Sequence, residues 1–397
     1  MLIVANSHNN HNWSQHIVLN HGAAVRCKPG AIGGQVNASL APYQTKIGPD
    51  PASIDSCMIG GIVSNNSSGM CCGVTQNSYK TIASLKLVFA DGTALDTADQ
   101  ISRARFRDSH SHMLDRLADM RRRLMLRQEF VRRIQKKKSI KNTSGYSLQS
   151  FIDYDDPLDI LTRLIIGSEG TLAFIAEATF NTVRILPRSA NALAIFPSIH
   201  EASLAAQCLN VGGVATSAEL FDGKSLRSAS GSTGMRRFAN TDDDTTAVLI
   251  ETRAESQEQL QWNMNRIECD LKAACRSKEE ISFTDDAAVY DDWWSARKGI
   301  IPIIGKARAR GTTLLIEDVA VPIPQLPQLV GDVKTMFEKF DYDDGHIIGH
   351  AKDGNIHLVF SQGFSRAEQV KQFDEFMMQL SECVAVKHDG SLKAEHG

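Results

Sequence analysis

Two histidines bracket an Asp-Gly turn in the segment Gly349-His350-Ala-Lys-Asp353-Gly354-Asn-Ile-His357-Leu-Val-Phe. Asp-Gly between apolar runs is a favoured centre for a two-residue hairpin loop. With Asp353 and Gly354 as that loop, position 352 pairs with 355, 351 with 356, and His350 with His357. Directly opposed residues on antiparallel strands share a face, with Cβ atoms about 4.5–5.5 Å apart. Two imidazoles then stand side by side, as a divalent metal requires, and Glu395 is a candidate third ligand. The same spacing also suits two polar histidines on a solvent-facing hairpin, and the spacing alone leaves both readings open.

A second chemical signal is the run Gly60-Gly-Ile-Val-Ser-Asn-Asn-Ser-Ser-Gly69-Met-Cys-Cys-Gly73. Glycine lets backbone approach a ligand closely, and successive amide N–H groups can cradle phosphate oxygens. Neither a Gly-x-Gly-x-x-Gly fingerprint nor a Walker loop is present. Asp222-Gly-Lys-Ser225 imitates the end of a Walker loop but carries Ala218 where its first glycine belongs. By composition alone the glycine run reads as a plain surface loop.

The elements that must position these residues can be read coarsely. Residues 17–50 alternate short apolar runs with Gly and Pro, which predicts strands and tight turns. Ser84 to Ala90, the turn Asp91-Gly92 and Ala94 to Thr97 read as a hairpin. A basic helical insert is expected over 99–140, and Leu161 to Ile175 as a helix-to-strand passage broken by Gly167-Ser-Glu-Gly170. In the second half, strands at Ala192–Phe196, Ala247–Glu251 and Thr312–Glu317 alternate with helical patterns near 199–210, 255–275, 287–300, 324–340 and 365–384. Such alternation predicts an α+β domain with helices packed on one sheet, the boundary falling near 187–191.

Composition limits the function classes. A chain of 397 residues with 42% hydrophobic and 22% charged content is that of a globular protein with two or three cores. No run of eighteen apolar residues occurs, and the start has neither a basic n-region nor a cleavage site, so a cytoplasmic protein is expected. The eight cysteines form no Cys-x-x-Cys pair, which fits free thiols in a reducing compartment and leaves no visible zinc or iron–sulfur ligand set. Net charge is −3, yet Ile101 to Lys141 carries fourteen Lys or Arg against four Asp or Glu. Met113, Leu117, Met120, Leu124 and Phe130 recur there at helical spacing. The segment reads as a solvated amphipathic helix, or as a contact for an acidic partner or an anionic membrane surface at the inner face. No recognition motif accompanies the charge, so no nucleic-acid partner is expected.

Together these segments resemble a known family. Pro49-Asp-Pro-Ala-Ser, Ile59-Gly-Gly-Ile-Val-Ser-Asn-Asn-Ser-Ser-Gly69, Lys141-Asn-Thr-Ser-Gly-Tyr146 and Gly167-Ser-Glu-Gly-Thr-Leu-Ala are similar to the FAD domain of vanillyl-alcohol-oxidase-type flavoproteins. Within these the chain resembles the respiratory D-lactate and D-2-hydroxyglutarate dehydrogenases. Trp294-Ser-Ala-Arg297-Lys, Ile316-Glu-Asp-Val-Ala-Val-Pro, Gly349 to His357, and Lys393-Ala-Glu395-His396-Gly397 carry the likeness into the second half.

The resemblance implies an α+β fold: a PCMH-type FAD-binding domain over 1–187, then an α+β cap domain with an antiparallel sheet over 188–397. It implies that Pro49, Gly60, Gly61, Ser68, Gly69, Glu169, Gly170 and Thr171 lie along FAD, with Asn142 and Tyr146 near the flavin. It assigns His350, His357 and Glu395 to a Zn or Mn ion, His396 to general base catalysis, and Arg297 to the substrate carboxylate, the alternative for Arg297 being a surface helix charge. The implied reaction oxidises a D-2-hydroxy acid, with electrons passing to a quinone, cytochrome or iron–sulfur partner. Val359 stands where hydroxyglutarate enzymes place a polar substrate contact, which argues for a smaller substrate.

The same resemblance sets a pyrophosphate loop before the stretch aligned with Leu2-Ile-Val, and a continuation after Gly397. The sequence therefore predicts a chain lacking part of its FAD cradle, with weakened flavin binding and a fraying Glu395–His396. A non-catalytic or split-gene fragment is the alternative. A metal hydrolase built on His350, His357 and Glu395 would explain none of the glycine motifs.

Overall fold

The computed structural model describes residues 13–396. Leu2-Ile-Val and Gly397, to which the reading of the two ends refers, lie outside them. The chain divides into two units, one running to Ile185 and including the segment from Glu395, the other comprising Leu186–Ala394.

The first unit contains β1 (His16–Leu19), β2 (Ala24–Cys27), α1 (Gly33–Leu40), β3 (Thr45–Lys46), α2 (Ile59–Asn65), α3 (Ser78–Thr81), β4 (Ile82–Val88) and β5 (Ala94–Asp96). Helices α4 (Gln100–Ser109), α5 (Ser111–Met125), α6 (Gln128–Lys138), α7 (Ser150–Asp153) and α8 (Pro157–Ile165) precede β6 (Phe174–Asn181) and β7 (Val183–Arg184). An antiparallel sheet runs in the order β1-β2-β6-β4-β5. Alternate strand residues (Val25 and Cys27, Leu85 and Leu87, Ala178 and Phe180) enter a core with Ile59, Ile62 and Val63 of α2 and Leu158, Leu161 and Ile165 of α8. Each such aliphatic side chain contributes about 1.5–3 kcal/mol on burial. The expected hairpin forms: Leu87 pairs with Leu95, and Gly92 takes the left-handed conformation its turn demands, φ +87°.

The basic insert is three helices rather than one. Asp99 caps α4 by accepting from the amides of Ile101 and Ser102, and the helix breaks at His110, whose ring stacks on Phe106 at 4.2 Å. Phe106, Leu114 and Val131 turn inward, one from each helix.

The second unit contains β8 (Arg188–Phe196), α9 (Ile199–Gly212), β9 (Ser217–Phe221), α10 (Gly223–Ala229), β10 (Thr246–Ala254), α11 (Gln257–Ala274) and α12 (Ala287–Ala307). It continues through β11 (Thr312–Ala320), α13 (Leu326–Lys339), β12 (His346–His350), β13 (Asn355–Gly363) and α14 (Ala367–Glu382). Its six-stranded antiparallel sheet has the order β11-β13-β12-β9-β10-β8. Helices cover both faces: α9, α11, α13 and α14 share one core with Leu220, Ile347 and Leu358, while α10 and α12 share another with Phe221, Ile348 and Val359. A sheet buried on both sides explains why its strands read as nearly continuous apolar runs. Any charged residue inside those runs must then find a partner.

Candidate active site

Two of the expected flavin segments of the first unit meet at the end of α2, whose first turn carries Gly60 and Gly61. The amide of Gly167 donates to the Val63 carbonyl at 3.1 Å and that of Glu169 to Ser64 at 2.9 Å, so the two glycine segments are hydrogen-bonded to each other. Glu169 and Gly170 both take left-handed backbone, φ +53° and +72°, a conformation costing about 1–3 kcal/mol for a non-glycine residue. Beyond that turn, the Thr171 hydroxyl is 2.9 Å from the Tyr146 hydroxyl.

Asp50 shapes the following loop, accepting the amides of Cys71 and Cys72 at 3.1 Å each. A Cβ at Gly69 would lie 1.8 Å from the Asp50 carbonyl oxygen, so no side chain fits there. Pro49 and Ser68 are buried, whereas Gly61, Glu169, Gly170, Thr171 and Tyr146 are exposed. The close approach at Gly69 is thus a contact within the protein, and the exposed Gly61 and Gly170 are the expected flavin glycines left open to the surface. Asn142 turns into its own bend instead, donating to the Lys137 carbonyl at 3.2 Å and accepting from the Ser144 amide at 2.9 Å.

Two groups here were missed by sequence reasoning. Lys141 is buried, and its Nζ donates to the Gly69 carbonyl at 2.7 Å and lies 2.5 Å from Glu395 Oε1. Burial pulls the Lys138 ammonium down to about 8. The expectation that Glu395 frays is corrected: it is 6% exposed, accepting from Ser68 Oγ at 3.1 Å and, through its carbonyl, from Asn65 Nδ2 at 2.9 Å. His396 beside it is exposed.

In the second unit the strand period of two directs the polar residues. Glu219 of β9, His350 of β12, and His357 and Asp318 of β13 and β11 alternate with residues of the α9/α11/α13/α14 core, so all four point toward the α10/α12 side. The hairpin register corrects the expected one. Ala351–Asp353 form a 3-10 turn closed by Gly354 at φ +66°, and Ile348, not His350, stands opposite His357. The loop is four residues long, and the shift by two preserves the face. His350 and His357 are therefore diagonal neighbours, ring centroids 5.0 Å apart and planes at 87°.

Each histidine has a carboxylate on Nδ1. Glu219 is the direct cross-strand partner of His350, its Oε1 2.7 Å from Nδ1. Asp318 is the cross-strand partner of His357, its Oδ1 3.2 Å from Nδ1. A carboxylate hydrogen-bonded to Nδ1, as Glu219 is to His350, leaves Nε2 as the basic nitrogen, the arrangement common around metal-binding histidines, whereas Asp318 approaches His357 Nδ1 without hydrogen-bond geometry. The donor chemistry thus fits a divalent ion. His346, on the same face, has its pKa pulled below the usual value chiefly by burial.

Arg297 is not a surface charge. It is 5% exposed on α12, and its Nε donates to Glu219 Oε2 at 2.8 Å. Its two terminal nitrogens hydrogen-bond to no described residue. Glu219 itself is fully buried and was not singled out from sequence. Its signal was present: a lone carboxylate within Ala218-Glu-Leu-Phe221 must be buried and paired if the run is a two-sided strand.

Residues 186–397 match the family model for FAD linked oxidases, C-terminal domain, and residues 6–98 match an FAD binding domain model. The D-2-hydroxyglutarate dehydrogenase of Haemophilus influenzae is 24% identical across 94% of this chain, which covers 38% of that protein. The mitochondrial D-lactate dehydrogenase [cytochrome] of Arabidopsis thaliana is 29% identical over 64% of this chain and 42% of its own length. Glycolate oxidase subunit GlcD of Escherichia coli K12 is 23% identical over 95% of this chain and 63% of its own. The chain thus spans well under half the length of the first two. Among solved structures, alkyldihydroxyacetonephosphate synthase superposes with a TM-score of 0.62 at 15% identity, over 96% of this chain and 62% of that one. p-Cresol methylhydroxylase gives 0.60 at 10% identity, over 96% and 70%. These two likenesses speak to the fold.

Proposed function

This chain belongs to the FAD-linked oxidases, and on that premise we propose that it oxidises a small D-2-hydroxy acid to the 2-oxo acid. The observation that carries the reading is the buried group Arg297–Glu219–His350, with His357 beside it. Arg297 offers its terminal nitrogens to the substrate carboxylate, a task suited to a planar fork of donors. His350 and His357 would hold a divalent ion, Zn or Mn, through Nε2, and such an ion would supply polarisation of the substrate hydroxyl. The family resemblance gives the proton-accepting role to His396, and histidine suits it because its ordinary pKa lies near working pH. FAD supplies the hydride acceptor and the route for electrons to a quinone, cytochrome or iron–sulfur partner. The fully buried Val359, packed with Ile348 and Phe221, favours a substrate with a small apolar side chain, such as D-lactate, over D-2-hydroxyglutarate.

The basic helices support a partner for this activity, an anionic membrane surface. Met120, Leu126 and Phe130 stand exposed among Arg122, Arg123, Arg127 and Arg132, Leu126 to 80%. Apolar side chains projecting between long cationic ones suit an interface of acyl chains and acidic headgroups. None of the described helices is long and apolar enough to cross a membrane.

Dye reduction by FAD-reconstituted protein tests the activity, with D-lactate, D-2-hydroxyglutarate and their L enantiomers compared. Turnover of D-lactate above the others is expected. Equal rates with L-lactate, or no flavin reduction by any of the four, would overturn the reading.

A further inference from the structure

We propose that Glu219 is a positioning residue that sets the tautomer of His350 and the orientation of Arg297 together, coupling the metal ligand to the substrate anchor. The inference rests on the roles given above to His350, His357 and Arg297.

Its two oxygens are divided between two tasks. Oε1 lies 2.7 Å from His350 Nδ1 and Oε2 accepts from Arg297 Nε at 2.8 Å. The strand register fixes the first contact, because Glu219 and His350 are Cα partners across β9 and β12. The second comes from α12, which packs on the same face. A buried carboxylate facing Nδ1 keeps the proton on that nitrogen, so Nε2 presents its lone pair. Engaging Arg297 through Nε leaves the terminal pair of nitrogens directed elsewhere, as bidentate capture of a carboxylate requires. Asp318 faces His357, its Oδ1 3.2 Å from Nδ1, and is itself held by Asn355 Nδ2 at 2.8 Å.

The consequence is specific to a carboxylate. A glutamine at this position has one acceptor oxygen and one donor nitrogen for two donors. The charged guanidinium takes the oxygen, and the amide NH2 then faces His350 Nδ1. That ring must accept on Nδ1 and carry its proton on Nε2, where it can no longer bind a metal. Removing the guanidinium as well releases the oxygen to His350 and restores the original tautomer.

Co²⁺ titration followed by visible absorption tests this, using FAD-reconstituted wild-type protein, Glu219→Gln, the double variant Glu219→Gln/Arg297→Met, and His357→Ala. Glu219→Gln is expected to lose about 10–100-fold in Co²⁺ affinity, the usual effect of removing a carboxylate behind a metal-bound histidine. The double variant is expected to regain most of that affinity while the KM for D-lactate stays high. It leaves no unbalanced buried charge, so it remains informative if the single variant fails to fold. Wild-type affinity in Glu219→Gln, or a folded double variant that stays as weak as the single one, would overturn the proposal and leave the metal reading standing. Absence of Co²⁺ binding by wild-type protein would overturn both.

Discussion

Lys141 Nζ lies 2.5 Å from Glu395 Oε1, an ion pair between residues 254 apart in sequence and both nearly inaccessible to water. The same ammonium donates to the Gly69 carbonyl, so one side chain joins the expected flavin loop to the Glu395–His396 segment. Taking both charges out of water is expensive, and removing one deprives the other of a close counter-charge. Lys141→Met is therefore expected to cost about 3–5 kcal/mol in chemical denaturation. Adding Glu395→Gln should recover much of that loss; equal losses in single and double variants would show that the pair is not coupled.

Gly69 and Gly61 separate folding from ligand approach. Alanine at Gly69 meets the Asp50 carbonyl at 1.8 Å and should lower both stability and flavin content. At Gly61 a Cβ points into open space on α2, and alanine should stabilise the helix by up to about 1 kcal/mol. A fall in FAD affinity of Gly61→Ala, measured by fluorescence quenching, would then report contact with the ligand. Unchanged affinity would remove Gly61 from the site.

Arg297→Lys tests the carboxylate anchor. A lysine has no Nε–H for Glu219 together with a terminal fork, so at least one charge-assisted hydrogen bond is lost, about 1.5–3 kcal/mol. The expected outcome is a rise of about 10–100-fold in the KM for D-lactate, equivalent to that energy. A variant with normal KM and reduced kcat would move Arg297 from binding to the chemical step.

Lys138 gives a stability signature in alkali. Burial lowers its pKa to about 8, whereas the unfolded chain titrates at about 10.4. Across that window the unfolded state holds a proton that the folded state has released, so stability rises with pH. Lys138→Met should therefore raise the Tm at neutral pH, with an advantage that shrinks as pH climbs through the window. An equal gain at both ends would assign the effect to packing.

Leu126→Ser/Phe130→Ser and a charge-reduced Arg122→Gln/Arg123→Gln variant test the membrane face. Wild-type protein is expected to sediment with phosphatidylglycerol vesicles at low salt and not with phosphatidylcholine, and each variant to bind more weakly. Co-sedimentation that ignores lipid charge, or survives both pairs of changes, would reject that surface.

Much of this was legible in the sequence because the physics is local. Asp91-Gly92 specified its hairpin, and Gly167 and Gly170, which marked the break between helix and strand, both take left-handed backbone. That His350 and His357 share a face followed from strand alternation, and it survived a register error because the error was even. What the tertiary structure decided was pairing between distant segments. Glu219 lies 131 residues from His350 and 78 from Arg297, and only the strand order β12-β9 with α12 across that face brings the three together. Lys141 reaches Glu395 in the same way. A sequence shows that a carboxylate or ammonium falls within an apolar run and must be compensated when buried; it does not show which opposite charge arrives, because that depends on how the elements pack.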